Sequence, residues 1–63
     1  MAIDIYSSRW EPHVKKTIME YFIDSAADVP NLPLTDTIGA TSVALDKSTG
    51  DVWVLGANGW GIL

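Results

Sequence analysis

Three groups of residues in this 63-residue chain are of types that could do chemistry. His13 follows Pro12 and stands two residues from Glu11, a pairing in which a carboxylate could orient an imidazole acting as general base. Such a base needs a nucleophile or an electrophilic cradle beside it. Ser7, Ser8 and Thr17 lie in no strand-turn-helix nucleophile context, and no glycine-rich phosphate loop follows a strand. His13 is therefore expected at the surface or in an interface. Asp36, Asp46 and Asp51 could offer oxygens to a hard cation, but a calcium loop requires a spacing they lack. Asp46 and Asp51 flank a turn, where aspartates bond to nearby backbone N–H groups. Trp10, Trp53 and Trp60 could stack on sugar rings, yet tryptophan is also favoured in cores and at interface centres. No catalytic, cofactor or metal-binding residues are assigned, and the chain is not expected to be an enzyme.

The elements that must position these residues are most legible in residues 40–63. Lys47-Ser48-Thr49-Gly50 reads as a four-residue loop, which sets Asp46 opposite Asp51, Leu45 opposite Val52, Ala44 opposite Trp53 and Val43 opposite Val54. A second turn around Asn58-Gly59 returns Trp60-Gly61-Ile62-Leu63. It pairs Leu55 with Ile62, or else Leu55 with Trp60 and Trp53 with Ile62; both registers keep the same parity. Side chains alternate along a strand. One face then collects Val43, Leu45, Val52 and Val54, and the other collects Ser42, Ala44, Trp53, Leu55, Trp60 and Ile62. The valine-rich face is expected to be the protomer core, and Trp53, Leu55, Trp60 and Ile62, with Trp10, the oligomer or partner interface. Gly50 and Gly59 are expected at positive φ, because each closes a hairpin turn.

Residues 1–25 open with Ile3 and Ile5 alternating around Asp4, as in a strand or extended arm. Val14, Ile18, Tyr21 and Phe22 also satisfy a helical spacing after Pro12, whereas Thr17–Asp24 is rich in residues that suit a pleated surface. A strand is the preferred reading, with a short helix as the alternative. Pro30 and Pro33 mark residues 26–39 as a connector, and Val29–Thr35 is expected to be extended or turned and not helix interior. The predicted fold is a single, mostly β domain: a small antiparallel meander with two C-terminal hairpins, and at most one short helix in the N-terminal half.

Composition narrows the function. A domain of this size buries only about 60% of its unfolded surface, so it usually needs a staple. The chain has no cysteine and one histidine, which removes disulfides and a closed zinc site and leaves oligomerisation. A sheet apolar on both faces needs two covering layers, and the remaining chain of 39 residues barely makes one. Hydrophobic residues make up 48% of the chain, too many for disorder. Eight acidic against four basic residues repel phosphate backbones, so nucleic acid is not an expected partner. The longest apolar runs are far shorter than a bilayer span, and no signal segment opens the chain, so no membrane partner is expected either.

Residues 26–60 carry a resemblance. Asp28-Val29-Pro30, Ile38-Gly39-Ala40-Thr41, Ser48-Thr49-Gly50, Val52-Trp53-Val54 and Gly59-Trp60 occupy the places of a short module that this stretch resembles in tailed-phage virion proteins. In that module an Ala-Asp-Leu-Pro-like segment leads through a loop to a strand, an Asp-Thr-Gly-like turn, an aromatic-centred strand and a closing Gly-x-Trp. Such modules occur in tail-fibre, head-fibre and decoration proteins. The resemblance implies a homo-oligomeric structural protein of the virion, made in the host cytoplasm and docked on a larger capsid or tail protein. It covers just over half of the chain and leaves residues 1–25 unexplained. With its own Met1 and only 63 residues, the chain is expected to be a small accessory protein and not a fragment of a long fibre. Two rival expectations are a glycan or host-receptor binding module of a tail fibre, and a small phage-encoded regulator that binds a host protein.

Overall fold

The structure, a computed structural model, describes residues 3–63. Five strands, β1 (Ile3–Glu11), β2 (Lys16–Ile23), β3 (Val43–Asp46), β4 (Val52–Gly56) and β5 (Gly59–Ile62), form one sheet in chain order. The protein is mostly β. The pleat-forming residues Thr17, Ile18, Tyr21, Phe22 and Ile23 all lie in β2, so the strand reading of this stretch holds and the helical spacing goes unused.

β1 and β2 form a hairpin closed by Glu11 opposite Lys16, with a bulge between Ile5 and Ser7 that leaves Tyr6 without a partner. Its turn puts Lys15 at φ 55°, a left-handed conformation that L side chains rarely adopt. β3, β4 and β5 form the meander. Here Val43 faces Val54, Ala44 faces Trp53 and Leu45 faces Val52, the pairing a four-residue loop dictates. In the last hairpin Leu55 faces Trp60 and Trp53 faces Ile62, so the chain takes the second of the two registers open to the sequence. Ala57 and Asn58 keep negative φ, and the left-handed residue is Gly59 at φ 113°. This is a tight turn finished by a left-handed glycine. Gly50 has φ 81° and closes the first turn the same way.

The hairpin and the meander meet through a parallel pair, β2 with β3, in which Tyr21 lies beside Ala44 and Phe22 beside Leu45. A parallel pair cannot be joined by a tight turn, so residues 24–42 must cross over the sheet. This segment is more than a connector, because it forms the second layer. Leu32 and Ile38 bring its apolar side chains down on Tyr21, Ile23, Ala44 and Leu55, and Val29, Met19, Trp53 and Trp60 pack around them.

A short 3₁₀ helix, Ala26–Asn31, opens the crossover and contains Val29 and Pro30, which corrects the expectation that proline bars helix here. A bond at each end ties the run to its flanking residues: Asp28 N–H to Ser25 O and Leu32 N–H to Val29 O, each 3.0 Å. The donor that proline lacks is not one of them, and its fixed φ suits the 3₁₀ conformation. The Asp28 carboxylate accepts from the backbone N–H groups of Asp24 and Ser25 at 3.1 and 3.3 Å, tying down the start of the helix.

The crossover returns beside β2 at close quarters. Gly39 N–H donates to Thr17 O at 2.9 Å, and a Cβ at Gly39 would stand 2.5 Å from Ile18 Cδ1, so only glycine fits without moving that side chain. Ser42, wholly buried, donates its hydroxyl to Gly39 O at 2.6 Å and accepts the Met19 N–H at 3.0 Å. One hydroxyl thus satisfies a backbone donor of β2 just where β3 has not yet begun.

Candidate functional site

The sheet has a covered and an open face, and their identities reverse the expectation from sequence. Ala44 and Leu55 are in the core, Leu55 being 1% exposed, and Trp53 and Trp60 pack against them. Val43, Leu45, Val52 and Val54, expected as the protomer core, are only half-buried. The cause is long-range. Alternation along the hairpins sorts the residues into two sets without saying which set the chain will cover. The parallel pairing sets Tyr21 beside Ala44 on the tryptophan side, and that is the side on which the crossover lies.

The expected interface residues separate accordingly. Leu55 cannot meet a partner, because the crossover covers it. Trp60 turns its indole N–H to Pro33 O at 2.8 Å and meets Tyr21 edge-on with ring centroids 6.4 Å apart. Trp53 Nε1 is buried with no hydrogen-bond partner. Ile62 remains 55% exposed at the sheet edge. Trp10, 59% exposed, lies opposite Thr17 near the turn end of the β1–β2 hairpin, so the three tryptophans form no common platform.

The residues with chemical potential serve turns. Glu11 Oε1 accepts the His13 backbone N–H at 3.3 Å and the imidazole is exposed. Asp46 Oδ1 accepts from the Ser48 N–H at 2.8 Å and from the Ser48 hydroxyl at 2.6 Å. The Ser48 hydroxyl holds the Asp46 carboxyl below its ordinary value, and burial opposes this less strongly. Asp51 accepts from the Thr49 hydroxyl at 2.9 Å, and Asp36 from the Thr37 hydroxyl at 3.2 Å. Burial raises the Tyr21 hydroxyl above its usual range. Among the described residues no three His, Asp or Glu side chains gather around a common point.

What remains is the open face, which has two adjoining depressions. The mainly apolar one, about 280 Å³, is lined by Tyr6, Phe22, Val43, Leu45 and Val52 together with Glu20 and Tyr21. Tyr6, on the bulge of β1 and 66% exposed, leans on Phe22 with ring centroids 5.0 Å apart. The bulge re-aims this side chain. Glu20 and Val43 also line the second depression, about 150 Å³, whose other walls include Arg9, Ser7 and Thr41. Thr41 sits at φ 74°, a strained conformation for a β-branched residue, with its N–H bonded to Leu55 O at 2.8 Å. One depression is therefore mainly apolar, and the other has Arg9 and Glu20 in its walls. The residue that sequence reasoning missed is Tyr6. Its exposure depends on a bulge, and a bulge leaves no mark in the alternation of Ile3, Asp4 and Ile5.

The chain matches no family model, no curated protein and no solved structure.

Proposed function

We propose that this chain is a small, non-catalytic structural protein of a tailed-phage virion, which docks its open sheet face on a larger capsid or tail component. One observation carries the reading. A sheet apolar on both sides has a covering layer on one side only, and the uncovered side keeps Phe22, Val43, Leu45, Val52 and Val54 half-exposed beside an exposed Tyr6. Contiguous apolar patches of this kind mark contact surfaces. With a shortest dimension of 17 Å, the fold has room for the sheet and one layer, since packed layers lie about 10 Å apart. The turn and strand residues Ile38-Gly39, Ser48-Thr49-Gly50 and Val52-Trp53-Val54 support the phage assignment by resemblance. The docking reading is favoured over the glycan alternative by the Trp60 indole N–H bonded to Pro33 and by Trp53 packed against the core.

The test is composition of the particle. Purified virions should contain the protein at a fixed copy number by quantitative mass spectrometry. Leu45→Lys, which charges the open face and leaves the core untouched, should fold normally and be missing from the particles. Particles that contain none of the wild-type protein, or that carry Leu45→Lys at full copy number, would overturn the proposal.

A further inference from the structure

β5 is the last strand of the sheet and has a neighbour on one side only. Its hydrogen-bond phase follows from two bonds. Leu55 N–H donates to Ser42 O and Leu63 N–H to Val52 O, each at 2.8 Å, so Leu55 turns toward β3 and Leu63 toward β4. Bonded and non-bonded pairs alternate in an antiparallel ladder. With Val54 opposite Gly61 and Leu55 opposite Trp60, the peptide groups of Gly59, Gly61 and Leu63 point to β4. Those of Trp60 and Ile62 point out of the sheet edge.

We propose that β5 pairs antiparallel with β5 of a second copy about a two-fold axis through Gly61, joining two sheets into one of ten strands. In this register Trp60 lies opposite Ile62 of the second copy, and Ile62 opposite its Trp60. Both are bonded pairs, so the four outward N–H and C=O groups of each chain find their complements. The side chains agree with the backbone. Trp60 and Ile62 share a face, so each exposed Ile62 gains cover from a tryptophan, and at the axis two glycines meet with no side chain to clash.

Charge selects a second copy for this edge. The protein carries a net charge of -4, and two copies can approach best where neither bears charge. No charged residue occurs from Val52 to Leu63. Natural sheet edges are blunted by lysine, proline or bulges. β5 has none of these, whereas the opposite edge strand, β1, contains Asp4, Arg9 and Glu11 and the bulge at Tyr6. The pairing leaves the open face free, so it goes beyond the docking proposed above and would set two docking faces side by side.

Amide hydrogen exchange and light scattering on the whole chain test the pairing together. At high micromolar concentration the protein should have twice the monomer mass. The Trp60 and Ile62 amides should then exchange at least about tenfold more slowly than in dilute solution, while those of Gly61 and Leu63 stay protected throughout. Gly61→Lys sets two like charges opposite each other at the axis, and a Cβ there meets nothing within 4 Å in the protomer, so folding should survive. Its dissociation constant should rise by at least about tenfold. Ile62→Pro removes an outward N–H and should have the same effect with an unchanged circular dichroism spectrum. A monomer at every concentration would overturn the proposal. So would growth into polymers, which points to β5 pairing with β1 of the next copy. A dimer with fast Trp60 and Ile62 amides that Leu45→Lys dissociates would assign association to the open face instead.

Discussion

The indole N–H of Trp60 bonds to the carbonyl of Pro33 at 2.8 Å, fastening the last strand of the sheet to the crossover that covers it. Trp53, two residues from Leu55 on the neighbouring strand and on the same face, buries its own N–H with no partner. The two tryptophans therefore respond differently to the same substitution. Trp60→Phe gives up a hydrogen bond and strands the Pro33 carbonyl, whereas Trp53→Phe relieves an unsatisfied donor while losing ring volume. Urea denaturation should show Trp60→Phe less stable than Trp53→Phe by about 1 kcal/mol.

The covered and open faces separate in the same way. Val54 and Leu55 are consecutive in β4 and point to opposite sides of the sheet. Leu55→Asp buries a charge among Tyr21, Ile23 and Ala44 and should prevent folding or cost more than about 4 kcal/mol. Val54→Asp meets water on the half-exposed face and should cost about 1 kcal/mol. Equal losses in the thermal melts of the two variants would mean that the faces have been misassigned.

Asp46 gives the stability a dependence on acid. Its folded-state pKa lies below the unfolded value because the Ser48 hydroxyl and N–H bond to the ionised carboxylate. This contribution is complete above the unfolded pKa of about 4 and disappears as pH falls through the lower folded value. The wild type should lose stability below about pH 4 more steeply than Asp46→Asn. Parallel curves for the two proteins over that range would exclude the Asp46 turn as the source.

Three glycines of the meander divide by backbone conformation. Gly50 and Gly59 occupy positive φ with open space around each Cβ position, so conformation alone constrains them. Replacement of either with valine should cost at least about 1 kcal/mol. Gly61 needs no left-handed backbone and is equally uncrowded, so Gly61→Val should change the stability of the monomer by no more than about 0.5 kcal/mol. Chemical denaturation of dilute samples distinguishes the two outcomes.

The meander was legible because its information is local. Lys47-Ser48-Thr49-Gly50 sets a loop length, loop length sets register, and register sets parity, so Val43 with Val54 and Ala44 with Trp53 follow directly. The last hairpin was open between two registers because Asn58-Gly59 suits the centre of a two-residue turn. In the structure Asn58 ends the turn and Gly59 begins β5. The choice of covered face was not legible. It depends on Tyr21 meeting Ala44 across a gap of more than twenty residues, and on Leu32 and Ile38, which lie in irregular backbone where no helix or strand alternation marks them. The candidate site inherited this error, since Leu55 and Trp60 look like available apolar surface until the crossover is set above them.

The parallel contact between β2 and β3 also governs how the chain reaches its fold. Each hairpin can zip from its own turn, and such local closures take microseconds. Neither alone gains a covering layer. Burial of Tyr21, Ile23, Ala44 and Leu55 waits for residues 24–42 to close as one large loop, whose entropy is lost before its contacts form. Refolding should thus be slower than the size of the chain suggests, as expected when native contacts are distant in sequence. Substitutions at Leu32 or Ile38 should slow it more than changes in the Lys47–Gly50 turn, making the crossover the step at which the β1–β2 hairpin and the meander become one cooperative unit.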